Sequence, residues 1–248
     1  MSTNYFLLTR AANAPINDRA DHQITHLAGE NIPSTKTIYL LPCVNLDYYA
    51  KYGLFESGLI EWSKQFCKKD KIFLDVGAHT GTYSISLAHL CSQVFAFEPQ
   101  RATYYALCGG VAMSGLSDKI VCVQAGLGSL AQEGRRVLNV VSRDGGGSSL
   151  HRLDEPLLGT EQINVNTLDS YGLSGVGFVK MDVEGNELEV LRGGRETLMQ
   201  SGFPPILMEI NTQEQFELIG NYLKDILGYT RFIRVSGTQN MALAVWES

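Results

Sequence analysis

Lys71-Ile72-Phe73-Leu74-Asp75-Val76-Gly77-Ala78-His79-Thr80-Gly81-Thr82 is an apolar run that ends in a glycine turn. Lys71–Val76 is nearly continuous in apolar residues, as a parallel strand covered on both faces requires. Gly77 ends that strand, and Thr80–Leu90 reads as a helix. The same alternation continues downstream. Strands are expected at Val94–Phe97, Ile120–Val123, Gly177–Val183 and Pro205–Ile210. Helices are expected at about Arg101–Met113, Asn186–Gln200 and Gln213–Leu227. Strands that alternate with helices build a parallel sheet with right-handed crossovers. Thr230–Val235 and Met241–Trp246 flank a loop short enough for a hairpin, so one antiparallel strand is expected at the end of the chain.

Two segments break the rhythm. Met1–Cys43 is irregular and reads as two short strands or edge pieces joined by a mobile loop. Tyr52–Phe66 follows with apolar positions on helical spacing. The second segment, about Gly128–Gly175, contains the expected strands Arg135–Val141 and Ile163–Leu168, which either extend the sheet or form a flap. Between them Asp144-Gly145-Gly146-Gly147-Ser148-Ser149 is a plain surface loop or a polar lip over a pocket. The domain reading is therefore an extension over residues 1–50, a strand and loop lid packed on the core, and one α/β domain over residues 51–248.

Composition narrows the classes. The chain has 248 residues, 44% of them hydrophobic and 19% charged, enough for one well-formed core. Its mean hydropathy is -0.04, and no stretch approaches the roughly 20 apolar residues of a membrane span. Met1–Asn17 shows no secretory signal. A net charge of -6 and a pI near 5.4 disfavour a broad nucleic-acid binder. The five cysteines form no C-x-x-C pair, and Cys43, Cys108 and Cys122 read as small buried thiols. A reducing, cytoplasmic compartment is the expectation. His22 and His26 have helical metal-ligand spacing but sit in a polar lead segment, and no metal is assigned.

Three motifs carry the chemistry. Gly77 and Gly81 are spaced G-x-x-x-G, which is neither the G-x-G-x-x-G of nicotinamide and flavin sites nor a Walker loop. Asp75, inside the strand before them, suits a ligand that brings a cationic amine. Phe95-Ala96-Phe97-Glu98-Pro99 puts a carboxylate at the end of the second strand, 23 residues after Asp75. A ribose-binding acid is expected there, at ~20 residues from the glycine loop. Together the two motifs indicate a nucleoside-containing cofactor. In Val179-Lys180-Met181-Asp182-Val183-Glu184-Gly185, strand periodicity would point Lys180, Asp182 and Glu184 to one side. They stand at the carboxyl end of the fourth strand, where open α/β sheets bind ligands.

These residues, with Gly147-Ser148-Ser149, Thr167-Leu168-Asp169-Ser170-Tyr171 and the run from Lys180 to Gly193, resemble the FkbM family of S-adenosylmethionine-dependent methyltransferases. The resemblance covers about Glu56–Ile210. It implies the Rossmann-like class I methyltransferase fold: a seven-stranded, mostly parallel sheet in the order 3-2-1-4-5-7-6, with helices on both faces. It also implies roles. Asp75, Gly77, Ala78, His79, Thr80 and Gly81 would hold the methionine part of S-adenosyl-L-methionine, and Glu98 the ribose. Pro99 or Gln100 would stack on the cofactor, and Gly126 would line the adenine. Glu56 and Asp182 would also reach the cofactor. His79 departs from the asparagine of many relatives.

A sulfonium methyl is already activated, so the protein must align an acceptor and take its proton. Asp182 is the expected base. Lys180 would orient it or stabilise the developing alkoxide, and Glu184 would share the base role or bind the acceptor. The expected reaction is O-methylation of a sugar, glycan or related small metabolite. The alternatives are methylation of the RNA ribose 2′-hydroxyl and a cofactor-binding module without turnover.

Overall fold

The computed structural model describes residues 4–11, 23–25, 36–151 and 156–247. Most of the interior of the expected mobile loop, and the pair His22/His26, lie outside the described residues.

The main sheet has seven strands: β4 (Ile72–Val76), β5 (Gln93–Phe97), β6 (Ile120–Val123), β10 (Val176–Met181), β11 (Ile206–Glu209), β12 (Arg231–Arg234) and β13 (Met241–Val245). Their spatial order is β12-β13-β11-β10-β4-β5-β6, which is the order 3-2-1-4-5-7-6 read from the other edge. β13 runs antiparallel to both β11 and β12, as the closing hairpin requires. Alternate residues of β4 serve opposite faces. Phe73 joins the core cluster that includes Ile85, Leu107 and Phe178, while Leu74 and Val76 join the one that includes Val179, Met181 and Leu191. Such double coverage explains the continuous apolar runs in sequence.

Several expected helices are shorter or broken. The helix after β4 begins at Thr82, so α3 is Thr82–Leu87 with a 3-10 turn after it. The expected Tyr52–Phe66 helix is shorter, α2 (Ser57–Ser63) followed by a 3-10 turn over Lys64–Phe66, and a separate helix that was not expected, α1 (Leu46–Tyr52), ends at Gly53 ahead of it. α4 is Arg101–Met113, as expected. The helix after β10 is interrupted at Gly193-Gly194 into α5 (Glu187–Gly193) and α6 (Arg195–Gln200). α7 (Gln213–Tyr222) runs on into a π turn. The break at Gly193-Gly194 reflects the poor helix propensity of glycine.

The leading segment forms three strands, not two: β1 (Tyr5–Ala11), β2 (Gln23–Thr25) and β3 (Lys36–Pro42), in the antiparallel order β2-β1-β3. β3 lies along α4. Ser114 Oγ accepts from Ile38 N–H at 2.8 Å and donates to Ile38 C=O at 3.2 Å, and Tyr39 Oη meets Ser86 Oγ at 2.9 Å. Phe6, Leu8, Tyr39, Leu41, Tyr49, Leu54 and Ile60 share one core cluster with Phe73 and Phe178. The inserted strands do not extend the main sheet. β8 (Gly134–Val140) and β9 (Gly159–Asn166) pair antiparallel, with β7 (Gly126–Leu127) parallel to β9, in a separate small sheet.

The cysteine expectation needs correction. All five are free thiols, but Cys91 is the buried one, while Cys43, Cys108 and Cys122 are only half-buried. Among the described residues no helix is long and apolar enough to cross a membrane.

Candidate active site

The carboxyl ends of β4, β5 and β10 open onto one cavity of about 350 Å³. Its first wall is the turn after β4. Gly77 and Ala78 donate to Phe97 C=O at 3.0 and 2.9 Å, and Asp182 N–H reaches Val76 C=O at 2.9 Å. That packing explains Gly77. Its φ is +78°, and a Cβ there would stand 1.7 Å from the Asp182 carbonyl oxygen. Only glycine lets the two chain segments come this close.

Asp75 is buried beneath the turn. Its Oδ2 accepts from Ser84 N–H at 2.9 Å and Ser84 Oγ at 2.5 Å, while its Oδ1 has no protein partner. Burial pushes the Asp75 pKa up, opposed by Lys180 and the two bonds from Ser84. Glu98 is also buried. One oxygen accepts from Gln100 N–H and Thr103 Oγ1, each at 2.8 Å, and the other from His79 N–H at 2.8 Å. An ionised carboxylate offers about four acceptor sites, so one remains for a ligand hydroxyl. Burial raises the Glu98 pKa as well.

The floor is an ion pair. Lys180 Nζ lies 2.9 Å from Asp182 Oδ2, with the lysine side chain 5% exposed and the aspartate 33%. Burial alone would lower the Lys180 pKa, but Asp182, Glu56 and Asp75 together raise it above the ordinary value. Burial alone would raise that of Asp182, yet Lys180 and a hydrogen bond from Glu209 hold it below the usual carboxylate range. Glu209 takes the opposite course. Burial and the neighbouring Asp182 push it up to about 8, so its carboxyl carries the proton that bonds Asp182. The carboxylate oxygens of Asp182, Glu184 and Glu209 lie within 4.8 Å of one another. These are the described residues that could jointly offer oxygen ligands to a divalent cation. Lys180 already occupies one oxygen of the set.

The expected one-sided strand of Lys180, Asp182 and Glu184 is incorrect in detail. β10 ends at Met181, and Glu184 sits at φ +52°, outside any strand geometry. All three nevertheless line the cavity, because the chain turns around its rim.

The glycine-rich loop is the roof. Gly145–Ser148 line the cavity, and Gly147 N–H donates to Glu184 Oε1 at 2.9 Å. Ser149 Oγ donates to Glu184 C=O at 2.7 Å, and His79 Nε2 meets Asp144 C=O at 2.5 Å. Asn45 Nδ2 donates to Asp144 Oδ2 at 2.6 Å and fastens the roof to the segment before α1. Of the two readings of this loop, the geometry is that of a lip.

Glu56, Asp75, Gly77, Ala78, His79, Glu98, Pro99, Gly126, Lys180, Asp182 and Glu184 all line the one cavity. Thr80 and Gly81 do not: Thr80 is fully buried and Gly81 stands immediately before α3. Pro99 lines it and Gln100 does not, so Pro99 is the surface available for stacking. Glu56, expected to reach the cofactor, sits at φ +54° just before α2 and accepts from Tyr83 Oη at 2.9 Å. The sequence reading missed Glu209, Tyr83, Asn45 and Tyr49. Glu209 alone had a visible signal, as a lone acid ending an apolar strand.

A seven-stranded sheet of this order, with a glycine turn after its first strand and an acid after its second, defines a Rossmann-like class I methyltransferase. The family model described as "Methyltransferase FkbM domain" matches residues 75–232. The chain belongs to the FkbM family of S-adenosylmethionine-dependent methyltransferases. No curated protein matches the sequence. Among solved structures it is similar to the methyltransferase FkbM from Methylobacillus flagellatus KT, with a TM-score of 0.49 and 18% identity over 72% of this chain and 44% of that one. The chain thus spans less than half the length of that protein. It is also similar to precorrin-6y C5,15-methyltransferase from Geobacter metallireducens GS-15, with a TM-score of 0.49 and 14% identity over 79% of this chain and 90% of that one. An rRNA methylase from Streptococcus thermophilus gives a TM-score of 0.49 and 12% identity over 77% of this chain and 96% of that one.

Proposed function

We propose that the protein transfers a methyl group from S-adenosylmethionine to a hydroxyl of a sugar, glycan or related small metabolite. The observation that carries this reading is the Lys180–Asp182 pair, 2.9 Å apart, facing the cavity that Glu98 and the Gly77–His79 turn also line. The cofactor fits these residues: the unpartnered, buried Asp75 Oδ1 suits an ammonium, and the one open site on Glu98 suits a ribose hydroxyl. When bound, S-adenosylmethionine supplies an activated methyl on a sulfonium.

The chain's own residues do the rest. Asp75 and Glu98 bind and orient, and Phe97, Ala125, Leu127 and Ile163 form an apolar wall for a flat base. Asp182 takes the proton of the acceptor hydroxyl. Lys180 fixes the rotamer of that carboxylate and lends positive charge where oxygen charge develops. Glu184 positions the acceptor, and the Gly145–Ser148 lip excludes water. Among the described residues the cavity lining holds Glu56, Asp75, Glu98, Asp144, Asp182 and Glu184 against a single lysine and no arginine. That balance argues against an RNA acceptor, whose phosphates it would repel.

A transfer assay with labelled S-adenosylmethionine against a panel of glycans and hydroxylated metabolites tests the reading. On the acceptor so found, Asp182→Asn should cut turnover by at least ~100-fold, the low end for losing a general base, with S-adenosylhomocysteine binding retained. Turnover within a few-fold of the parent protein would remove Asp182 from that role.

A further inference from the structure

At the cavity mouth a row of aromatic rings runs from the core to the surface. Phe6, buried, meets Tyr49 edge-on at 5.7 Å, and Tyr49 meets Phe55 edge-on at 5.0 Å. Phe55 stacks on Tyr48 at 3.9 Å with an interplanar angle of 16°, and Tyr48 meets Tyr52 at 5.1 Å. Tyr49 is 3% exposed, whereas Tyr48, Tyr52 and Phe55 are 37%, 40% and 37% exposed. The outer rings are therefore held rigid from behind while they present surface to solvent. Lys51 Nζ lies 4.9 Å over the Tyr52 ring at the outer end.

This row is continuous with the floor. Asn45, Tyr49, Phe55 and Glu56 line the cavity. Glu56 holds the Tyr83 hydroxyl, and the Tyr83 ring lies 5.1 Å from Lys180 Nζ. Tyr48, Tyr52 and Phe55 all precede residue 75 and so lie outside the family match.

We propose that Tyr48, Tyr52 and Phe55 form a stacking ledge that receives an uncharged pyranose ring of the acceptor. The inference rests on the methyltransferase reading of the cavity and names the acceptor's chemistry. A pyranose has an apolar C–H face for the rings and a hydroxyl rim for Asn45, Glu56 and Asp144 beside them. Asn45 and Tyr83 use only part of the acceptor capacity of Asp144 and Glu56, and a fatty chain would strip water from the rest without replacing it, which is costly. The carboxylate excess of the cavity excludes phosphorylated sugars by repulsion. The ledge thus selects for ring shape, and the acidic cavity beside it selects against negative charge.

Saturation-transfer NMR on the full chain, loaded with S-adenosylhomocysteine, tests the ledge. The probes are the methyl glycosides of glucose, galactose, mannose and rhamnose, with glucose 6-phosphate and octanol as contrasts. At least one neutral glycoside should receive saturation on its C–H protons, and the two contrasts should receive none. Tyr48→Ala/Tyr52→Ala should weaken that binding about tenfold through loss of two ring contacts, while Tyr48→Phe/Tyr52→Phe retains it. No binding by any neutral glycoside, binding indifferent to the double alanine variant, or stronger binding of the phosphate or the alcohol would each overturn the proposal. Calorimetric titration of S-adenosylhomocysteine tests the cofactor reading separately. Failure there sinks the methyltransferase reading, whereas normal cofactor binding without glycoside binding sinks only the ledge.

Discussion

Lys180→Met would leave the shape of the cavity floor almost intact and remove its charge. Methionine fills most of the aliphatic volume, so the loss is electrostatic and not a packing void. Lys180 is 5% exposed at its side chain and faces Asp182 directly, with Asp75 and Glu56 also contributing to its field. Asp182 is one-third exposed, so losing its partner costs less than the full penalty of a buried pair, about 2–3 kcal/mol, because water covers part of the charge left behind. For a chain of this size that amounts to roughly 4–12 °C in melting temperature.

The pH dependence of this loss has a definite sign. In the parent protein Asp182 is held below its ordinary pKa, so its stabilisation is present above about pH 4 and fades as the pH falls. Without the lysine the half-buried carboxylate, beside Asp75, should move above its unfolded value, so the folded variant binds a proton and loses stability as the pH rises. The gap between the two proteins should be full near pH 7 and shrink towards pH 4. Urea unfolding followed by circular dichroism at four pH values between 4 and 8 measures it. Lys180→Met/Asp182→Asn should recover most of the loss. A gap under ~1 kcal/mol at pH 7, or one that stays constant down to pH 4, would show that Asp182 does not depend on Lys180 for its charge.

Gly77→Ala places a Cβ 1.7 Å from the Asp182 carbonyl oxygen at a φ of +78°. It should destabilise by about 2–4 kcal/mol and weaken S-adenosylhomocysteine binding at least tenfold; a normal melting curve with normal affinity would contradict the turn's assigned role. Glu209, pushed up to about 8, binds a proton in the folded chain that the unfolded chain has already released, so stability should fall as the pH rises from about 4.5 to 8. Glu187, pushed up to about 7 by burial, adds to the same trend. Glu209→Gln should flatten the part of the slope nearest pH 8, read from urea midpoints, and an unchanged slope would place the proton elsewhere.

The sheet was legible because its strands are covered on both faces and are short, apolar and separated by helices. Asp75, Glu98 and Lys180 were legible because an ionisable residue in such a strand is expensive unless it serves a ligand. Helix boundaries were less so: Gly193-Gly194 breaks a helix that its apolar spacing would continue, and α1 (Leu46–Tyr52) was not expected at all. Asp182 and Glu184 were correctly grouped with Lys180 but for an incomplete reason, since the strand stops at Met181. Glu209 joins them only through the pairing of β11 beside β10, a contact that local pattern does not reveal. Tyr83 and Asn45 meet their partners 27 and 99 positions away, at Glu56 and Asp144, and carry no sequence motif.

The residues ahead of position 75 bear on where this protein can be cut. The family match begins at Asp75, in the middle of a strand. A fragment trimmed to that match would lose Phe6, Leu8, Tyr39, Leu41, Tyr49, Leu54, Ile60 and Phe73 from a core they share with Phe178 and Leu107. It would also lose Glu56, which supports the charge of Lys180, and Asn45, which ties down the lip. The span that homology recognises is therefore smaller than the span that folds. Expression fragments, domain fusions and chimeras with related enzymes should take their junctions from the shared core, not from the edge of the matched sequence.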